Sequence, residues 1–484
     1  MHCFFSIILA GIYLVVMLVG CALPEPGLDA ATAVKSLTAF PTRVVWCQDA
    51  GDGSHPGPES NQLRLMGFDT EDRRGERAIL PQLSNYTKPL LTPRGDRVIF
   101  SNRHEQKIYA VNWDGSGLRP VMDGLALAVW EDPQNGNVWV YAGTTVTNAM
   151  AVGPVRRHLL AQPAVSELVW DQTLVELDNF QVSADGRRAS GHCRLANGRF
   201  PEPDCCLLEL PLGALTQIGD GCWPSLAGDN SYLFFSFDGA HRNLTLFDHA
   251  TGRRWRVNIN RASGIGGFEV YHPRWSNHPR FMTMTGPYTV GDHHNRIRGG
   301  GAGVEIYIGR FSADFEKIEQ WVRVTHNTHA DFFPDVWIAC TQRWSTATAD
   351  VAAGISAPVK TITPPPVVTE KPRPSVERLV VTARPVELSR IPLPAAIAPY
   401  RRALVVNRYD VKQVAEGQYA AKQIMVAHWV IRDGQMLPTA ARDKTKTYRM
   451  VLEPFDAHPK LEGERLIMDS DEFQLPLYYE LEQR

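Results

Sequence analysis

From residue 42 to residue 345 the chain is built of short runs in which apolar and polar residues alternate, the period of half-buried strands. Four segments share one order of events: KPLLTPRGDRVIFSN from Lys88, FQVSADGRRASGHC from Phe180, CWPSLAGDNSYLFFSFDG from Cys222 and HPRWSNHPRFMTMTG from His272. Each opens on a short strand, passes through a polar turn rich in Gly, Asp or Asn, and continues into an apolar strand. A further strand and turn follow in KIYAVNWDGSGLRPV from Lys107, NLTLFDHATGRRWRV from Asn243 and VEIYIGRFSADFEKIEQWVRV from Val304. Asp114-Gly115 and Thr251-Gly252 supply hairpin turn chemistry. The unit is thus a four-stranded meander, with less regular copies near Ala128 and Phe332. First strands recur every ~40 to 60 residues, the spacing of propeller blades. Six first strands are present, and the last, Phe333 to Trp337, lacks followers. Its partners are found at the start, around Trp46 and from Asn61, so the ring is expected to close by pairing the two chain ends of the repeat region.

The combination of Pro, an aromatic, Ser, an Asp/Asn-Gly type turn and an apolar strand resembles the TolB-like, WD40-like propeller repeat, best at residues 87–121 and 222–257. The resemblance implies an all-β, six-bladed TolB-like β-propeller over residues 42–345. Such propellers serve as binding platforms, peptidase gates and lyases, so it leaves function open. Residues 346–375 are rich in Pro and small residues without periodicity and read as a Pro-rich linker. From 376 to 484 five strand patterns return, in RLVVTARPVEL, RALVVNRYDVKQVAEGQY, KQIMVAHWVI, YRMVLEPF and PLYYELE. They are expected to form a small C-terminal β-barrel, OB-like in size.

Residues 1–21 form an apolar segment ending in Leu18-Val19-Gly20-Cys21. This tetrapeptide resembles the lipobox of bacterial lipoproteins, which implies lipidation of Cys21. An uncleaved N-terminal anchor is the other reading, and both place the body outside the cytoplasm on a membrane. The formal net charge of -2 provides no basic field, and nucleic acid is excluded as a partner. The chain holds 8 cysteines, six of them after Cys21, which an exported chain could oxidise. Ring closure places Cys47 and Cys340 on one blade, and a disulfide between them is expected.

Candidate chemistry concentrates in the later blades: Asp238, His241 and Arg242; His272, Arg274 and His278; His293, His294 and Arg296 in a Gly-rich loop; and His326, His329 and Asp331. His272 and His329 are expected to share a rim at one mouth of the central channel. Imidazoles converging with a carboxylate would suit Mn, Fe or Zn, with His272, His329 and His241 as ligands of a divalent metal. Oligogalacturonate lyase, which resembles this fold, uses channel-mouth histidines, a metal and an arginine on uronate sugars, so a metal-dependent polysaccharide lyase or hydrolase is the second functional reading. Against it, these histidines equally serve as strand caps and core. No GxSxG nucleophile elbow occurs in the chain. The triple glycine at 299–301 is followed by a strand and has no phosphate-cradle Lys-Ser/Thr, so it reads as a loop over the mouth whose Arg296 could hold an anionic ligand. Trp223, Trp275 and Trp337 read as core between blades. The leading functional reading is a non-catalytic module of the cell envelope that binds a protein or a glycan, with His241, Arg242, His272, Arg274, Arg296, His329 and Asp331 as ligand-binding candidates.

Overall fold

In the computed structural model the described residues are 29–51, 60–147, 151–194, 205–219, 221–239, 241, 243–259, 269–288, 304–339, 378–397, 401–458, 461, 464–469 and 475–481. Six antiparallel sheets surround a central channel, and their innermost strands are Asp331–Ile338, Thr87–Leu91, Leu125–Glu131, Gln181–Val182, Cys222–Leu226 and Glu269–Trp275, for blades one to six in turn. Blade one closes the ring as the sequence pattern requires. Asp331–Ile338 pairs antiparallel with Thr42–Asp49, which pairs with Leu63–Asp69 and then with Arg77–Ser84. The first and last strands of the propeller therefore protect each other's edges. All innermost strands run the same way, so the channel has an upper mouth where they begin and a lower mouth where they end.

Tryptophans tie neighbouring blades through their turns. Trp337 of blade one donates its Nε1–H to Pro93 O at 2.9 Å, and Trp130 of blade three donates to Ala184 O at 2.8 Å. In both cases the glycine two residues on, Gly95 or Gly186, takes a positive φ, 67° and 72°. A Cβ there would meet the indole at 2.5 Å. Glycine is required at these turns twice over, by backbone conformation and by the ring lying on it. Trp275 is fully buried between blades, as a core residue.

Blade four departs from the meander. Its innermost strand is broken by a 3-10 turn at Leu177–Asn179, and the upper piece, Leu174–Glu176, pairs with Ala151–Val152, which pairs with Thr145–Thr147. An excursion from blade three thus extends blade four at the upper mouth. A helix absent from the strand pattern, Ala30–Thr38, buries Val34 and Leu37 in the cluster formed by blades six and one.

The Pro-rich stretch 346–375 lies outside the described residues. Beyond it, Leu379–Glu387, Ala403–Glu416, Gln423–Arg432, Tyr448–Pro454 and Leu477–Glu480 make the five expected strands. The first pairs with the second and fourth, the second with the third, and the fifth bridges the fourth and third, parallel to the third. The sheet closes as a barrel of order 1-2-3-5-4-1. It touches the upper side of blade five: Leu466 N–H donates to Gly239 O at 3.2 Å, and the Arg256 guanidinium lies 5.3 Å from the Phe455 ring centroid.

Candidate functional site

An innermost strand has one ladder partner, so its channel-facing edge exposes N–H and C=O groups that must be satisfied some other way. Side chains from adjacent blades do this. Lys88 Nζ donates to Leu127 O at 2.7 Å, Leu177 O at 2.5 Å and Phe180 O at 3.3 Å, stitching blade two to blades three and four. Asp335 Oδ2 accepts from Leu91 N at 2.8 Å, and Ser225 Oγ accepts from Trp275 N at 3.1 Å. Gln181 Nε2 donates to Trp275 O at 2.8 Å, and Ser101 Oγ accepts from Ala126 N at 2.8 Å. Burial pulls the Lys88 pKa well below that of a free lysine, reinforced by the Arg274 charge and opposed by Asp178 and Asp335. Three carbonyl acceptors nonetheless need three N–H donors, which only the ammonium form has.

A local backbone device aims these side chains. Lys88, Trp223, His272 and Phe333 each precede a proline and take φ of 45°, 53°, 52° and 52°. At each, the register of the innermost strand slips by a bulge. A bulge turns a residue out of the ladder and re-aims its side chain. The four side chains meet around a narrow throat, where the Trp223 and Phe333 rings lie 4.8 Å and 4.3 Å from that of His272. Non-glycine residues at positive φ cost ~1 to 3 kcal/mol each, and such strain gathers at functional sites.

The histidines do not share the rim expected of them. His272 lies inside strand Glu269–Trp275, buried in the throat, with Nδ1 3.0 Å from Thr285 Oγ1. His329 sits in the loop ahead of Asp331–Ile338, half-buried at the upper mouth, its N–H bonded to Asn327 Oδ1 at 2.8 Å. The bulge sends one inward while the loop leaves the other outside. His241 is buried below the barrel, its ring 5.1 Å from Phe237 and 4.5 Å from Tyr271. Burial holds both His241 and His272 down at about 3, helped by Arg465 for His241 and by His241 for His272. Among the described residues no three His, Cys, Asp or Glu side chains stand close enough to hold a metal ion. Arg242, His293, His294 and Arg296 lie outside the described residues.

Asp331 forms the centre of a bonded rim that sequence patterns do not reveal. Its Oδ1 accepts from Trp46 Nε1 at 2.8 Å and Gln48 Nε2 at 3.0 Å, and its Oδ2 from Asn327 Nδ2 at 2.7 Å. Burial raises its pKa to about 7 despite these three donors, and the Glu305 charge adds to the rise. Glu76 in turn accepts from His326 N at 2.6 Å and Asn327 Nδ2 at 2.8 Å, tying the outer strand of blade one to this loop.

Of the expected Cys47–Cys340 pair, only Cys47 lies among the described residues. Cys47 is a buried free thiol whose Sγ donates to Tyr86 O at 2.8 Å. In the strand pair Cys47 faces Phe332, while Thr42 faces Ile338 and Ala339 N–H bonds Pro41 O. Cys340 itself and Cys21 lie outside the described residues. Among those described, no helix is long and apolar enough to cross a membrane.

No protein-family model matches the chain. No curated protein matches it either. Solved structures that resemble it include TolB from Acinetobacter baumannii, with 12% identity and a TM-score of 0.39 over 63% of this chain and 70% of that one. A protein of unknown function from Bacteroides caccae has 10% identity and a TM-score of 0.35, over 62% and 99%. A putative TolB from Agrobacterium tumefaciens has 11% identity and a TM-score of 0.31, over 61% and 98%. Likenesses this low say nothing of activity, and the blades described above rest on their own strand pairings.

Proposed function

We propose that this protein is an exported, envelope-anchored module that binds a protein or glycan at the upper mouth of its propeller and performs no catalysis. The observation that carries this reading is the position of the barrel, which adjoins that mouth through Gly239 and Arg256. The part of the rim around Asp331 is preorganised, because its amides and carboxylates are already bonded to one another. Preorganised surfaces of this kind lose little freedom on binding. The barrel, OB-like in its strand order, offers a second contact for an extended ligand on the face of its second and third strands. Anchoring would come from Cys21 as a lipidated N-terminus or from residues 1–21 as an uncleaved anchor.

Photo-crosslinking in intact cells tests the binding reading. A crosslinker at His326, exposed on the upper rim, is expected to yield a discrete adduct, and one at Leu118, exposed beside the outer strand of blade two, to yield none. Equal patterns from both positions would overturn it. Labelled palmitate incorporated by the native chain and lost in Cys21→Ala would identify the lipid anchor, and unchanged membrane retention without label would identify the uncleaved one.

A further inference from the structure

The lower mouth of the channel holds a cavity of about 200 Å³ that the proposed function does not use. Arg274 reaches into it from blade six, placed there by the bulge at His272-Pro273. The side chain is 15% exposed, and its Nε–H donates to Asp335 Oδ1 at 2.7 Å. A guanidinium carries five N–H donors. The four on Nη1 and Nη2 meet no acceptor among the described residues, whereas Asp335 is used on both oxygens, the second by Leu91 N–H. These donors open on the cavity, where water can accept from them until a ligand with matching acceptors displaces it.

We propose that this cavity is a subsite for a small organic carboxylate, held by a bidentate pair with the Arg274 amino groups. Trp130, Trp337, Val129 and Val182 supply apolar wall on the same cavity, which suits a ligand with a flat apolar body behind its carboxylate. One guanidinium matches one carboxylate in plane and in donor spacing. Around the cavity Arg274 offsets Asp335, and Arg94 offsets Glu131 at its edge, so no net charge opposes an added monoanion. A dianion such as phosphate would face Asp335 and Glu131 with Arg274 alone lining the cavity as a cation.

The test is titration of the full chain with benzoate, and with benzamide as its uncharged counterpart, read by calorimetry and by the fluorescence of the tryptophans that line the cavity. Arg274→Gln removes the cation, and Ala184→Phe fills the cavity from its wall while leaving the Arg274–Asp335 pair intact. The expected result is saturable benzoate binding at millimolar concentration, at least ten-fold tighter than benzamide and weakened at least ten-fold by either substitution in folded protein. Absence of saturable binding, equal affinity for benzamide, or benzoate binding that survives Arg274→Gln would each overturn the proposal. The comparison of the two probes on the native chain decides the point even where a variant does not fold. A cavity that fails here leaves the upper-mouth reading untouched, since the two lie at opposite ends of the channel.

Discussion

Lys88 Nζ stands 2.7 Å from the carbonyl oxygen of Leu127, a bond from one blade to the open edge of the next. The same ammonium reaches two carbonyls of blade four, so a single side chain satisfies three groups that the sheets leave without a ladder partner. Charge serves here as inter-blade cement, and none of its donors remains for a ligand.

Lys88→Met should therefore destabilise the propeller far more than loss of a surface lysine. Three buried carbonyls would each lose a donor, at ~1 kcal/mol or more apiece. Chemical denaturation is expected to show a loss of ~3 kcal/mol or more, against less than ~0.5 kcal/mol for Lys107→Met on the exposed side of blade two. Equal midpoints for the two variants would contradict the stitching role.

His272 makes the fold sensitive to acid. Its folded pKa of about 3 lies below that of the unfolded chain, so the unfolded state takes up a proton first as pH falls. The stability it contributes is complete above pH ~6.5 and is lost toward pH ~3, at up to ~1.4 kcal/mol per pH unit. Phe333 occupies the matching pre-proline position of the next blade at the same φ of 52°, so phenylalanine is compatible with this backbone. His272→Phe is expected to shift the acid midpoint of unfolding downward by circular dichroism, and an unchanged midpoint would refute the assignment.

Asp331 acts with the opposite sign. Burial lifts its pKa to about 7, so the folded state holds its proton after the unfolded chain has released one. Its contribution is whole below pH ~4 and declines as pH rises through about 7. Asp331→Asn keeps an acceptor for Trp46 and Gln48 while abolishing the titration. Its melting temperature relative to the native chain should rise steadily from pH 4 to pH 8; a flat difference would show that this carboxyl ionises normally.

The turn glycines separate backbone strain from packing. Gly95, Gly186 and Gly252 all have positive φ, yet a Cβ at Gly252 would meet nothing within 4 Å, while one at Gly95 or Gly186 strikes an indole. Alanine at Gly252 should cost ~1 kcal/mol for conformation alone. At Gly95 or Gly186 the displaced tryptophan should add another ~1 to 3 kcal/mol. Melting temperatures of the three variants measure the difference, and three equal shifts would remove the ring from the argument.

Much of this architecture is legible in the chain because it is written in local chemistry. Alternation marks each strand, and Gly with Asp or Asn marks each turn. The unpaired Asp331–Ile338 strand and the orphan strands around Trp46 call for each other. Blade four was less readable, since its first strand is broken at Leu177–Asn179 and completed by Ala151–Val152 from another blade. The helix Ala30–Thr38 carries too short an apolar stripe to stand out from the strands that follow.

The candidate site was legible in residue type and not in placement. His272 and His329 look alike in sequence, flanked by aromatics and polar turns, but a bulge buries one and a loop exposes the other. Arg274 was visible as a charged residue in a strand; that it ends beside a cavity with idle donors follows from Asp335, 61 residues away. Lys88, Gln48, Asn327 and Glu76 carried no signal, because each is defined by a partner remote in sequence, Gln48 by Asp331 and Asn327 by Glu76. Sequence determines what depends on the nearest few residues: strand period, turn type and the repeat that closes the ring. Only the folded ring decides which open backbone edge, which ring and which charge each side chain meets, because those partners are brought together by blade-to-blade packing over separations from tens to hundreds of residues.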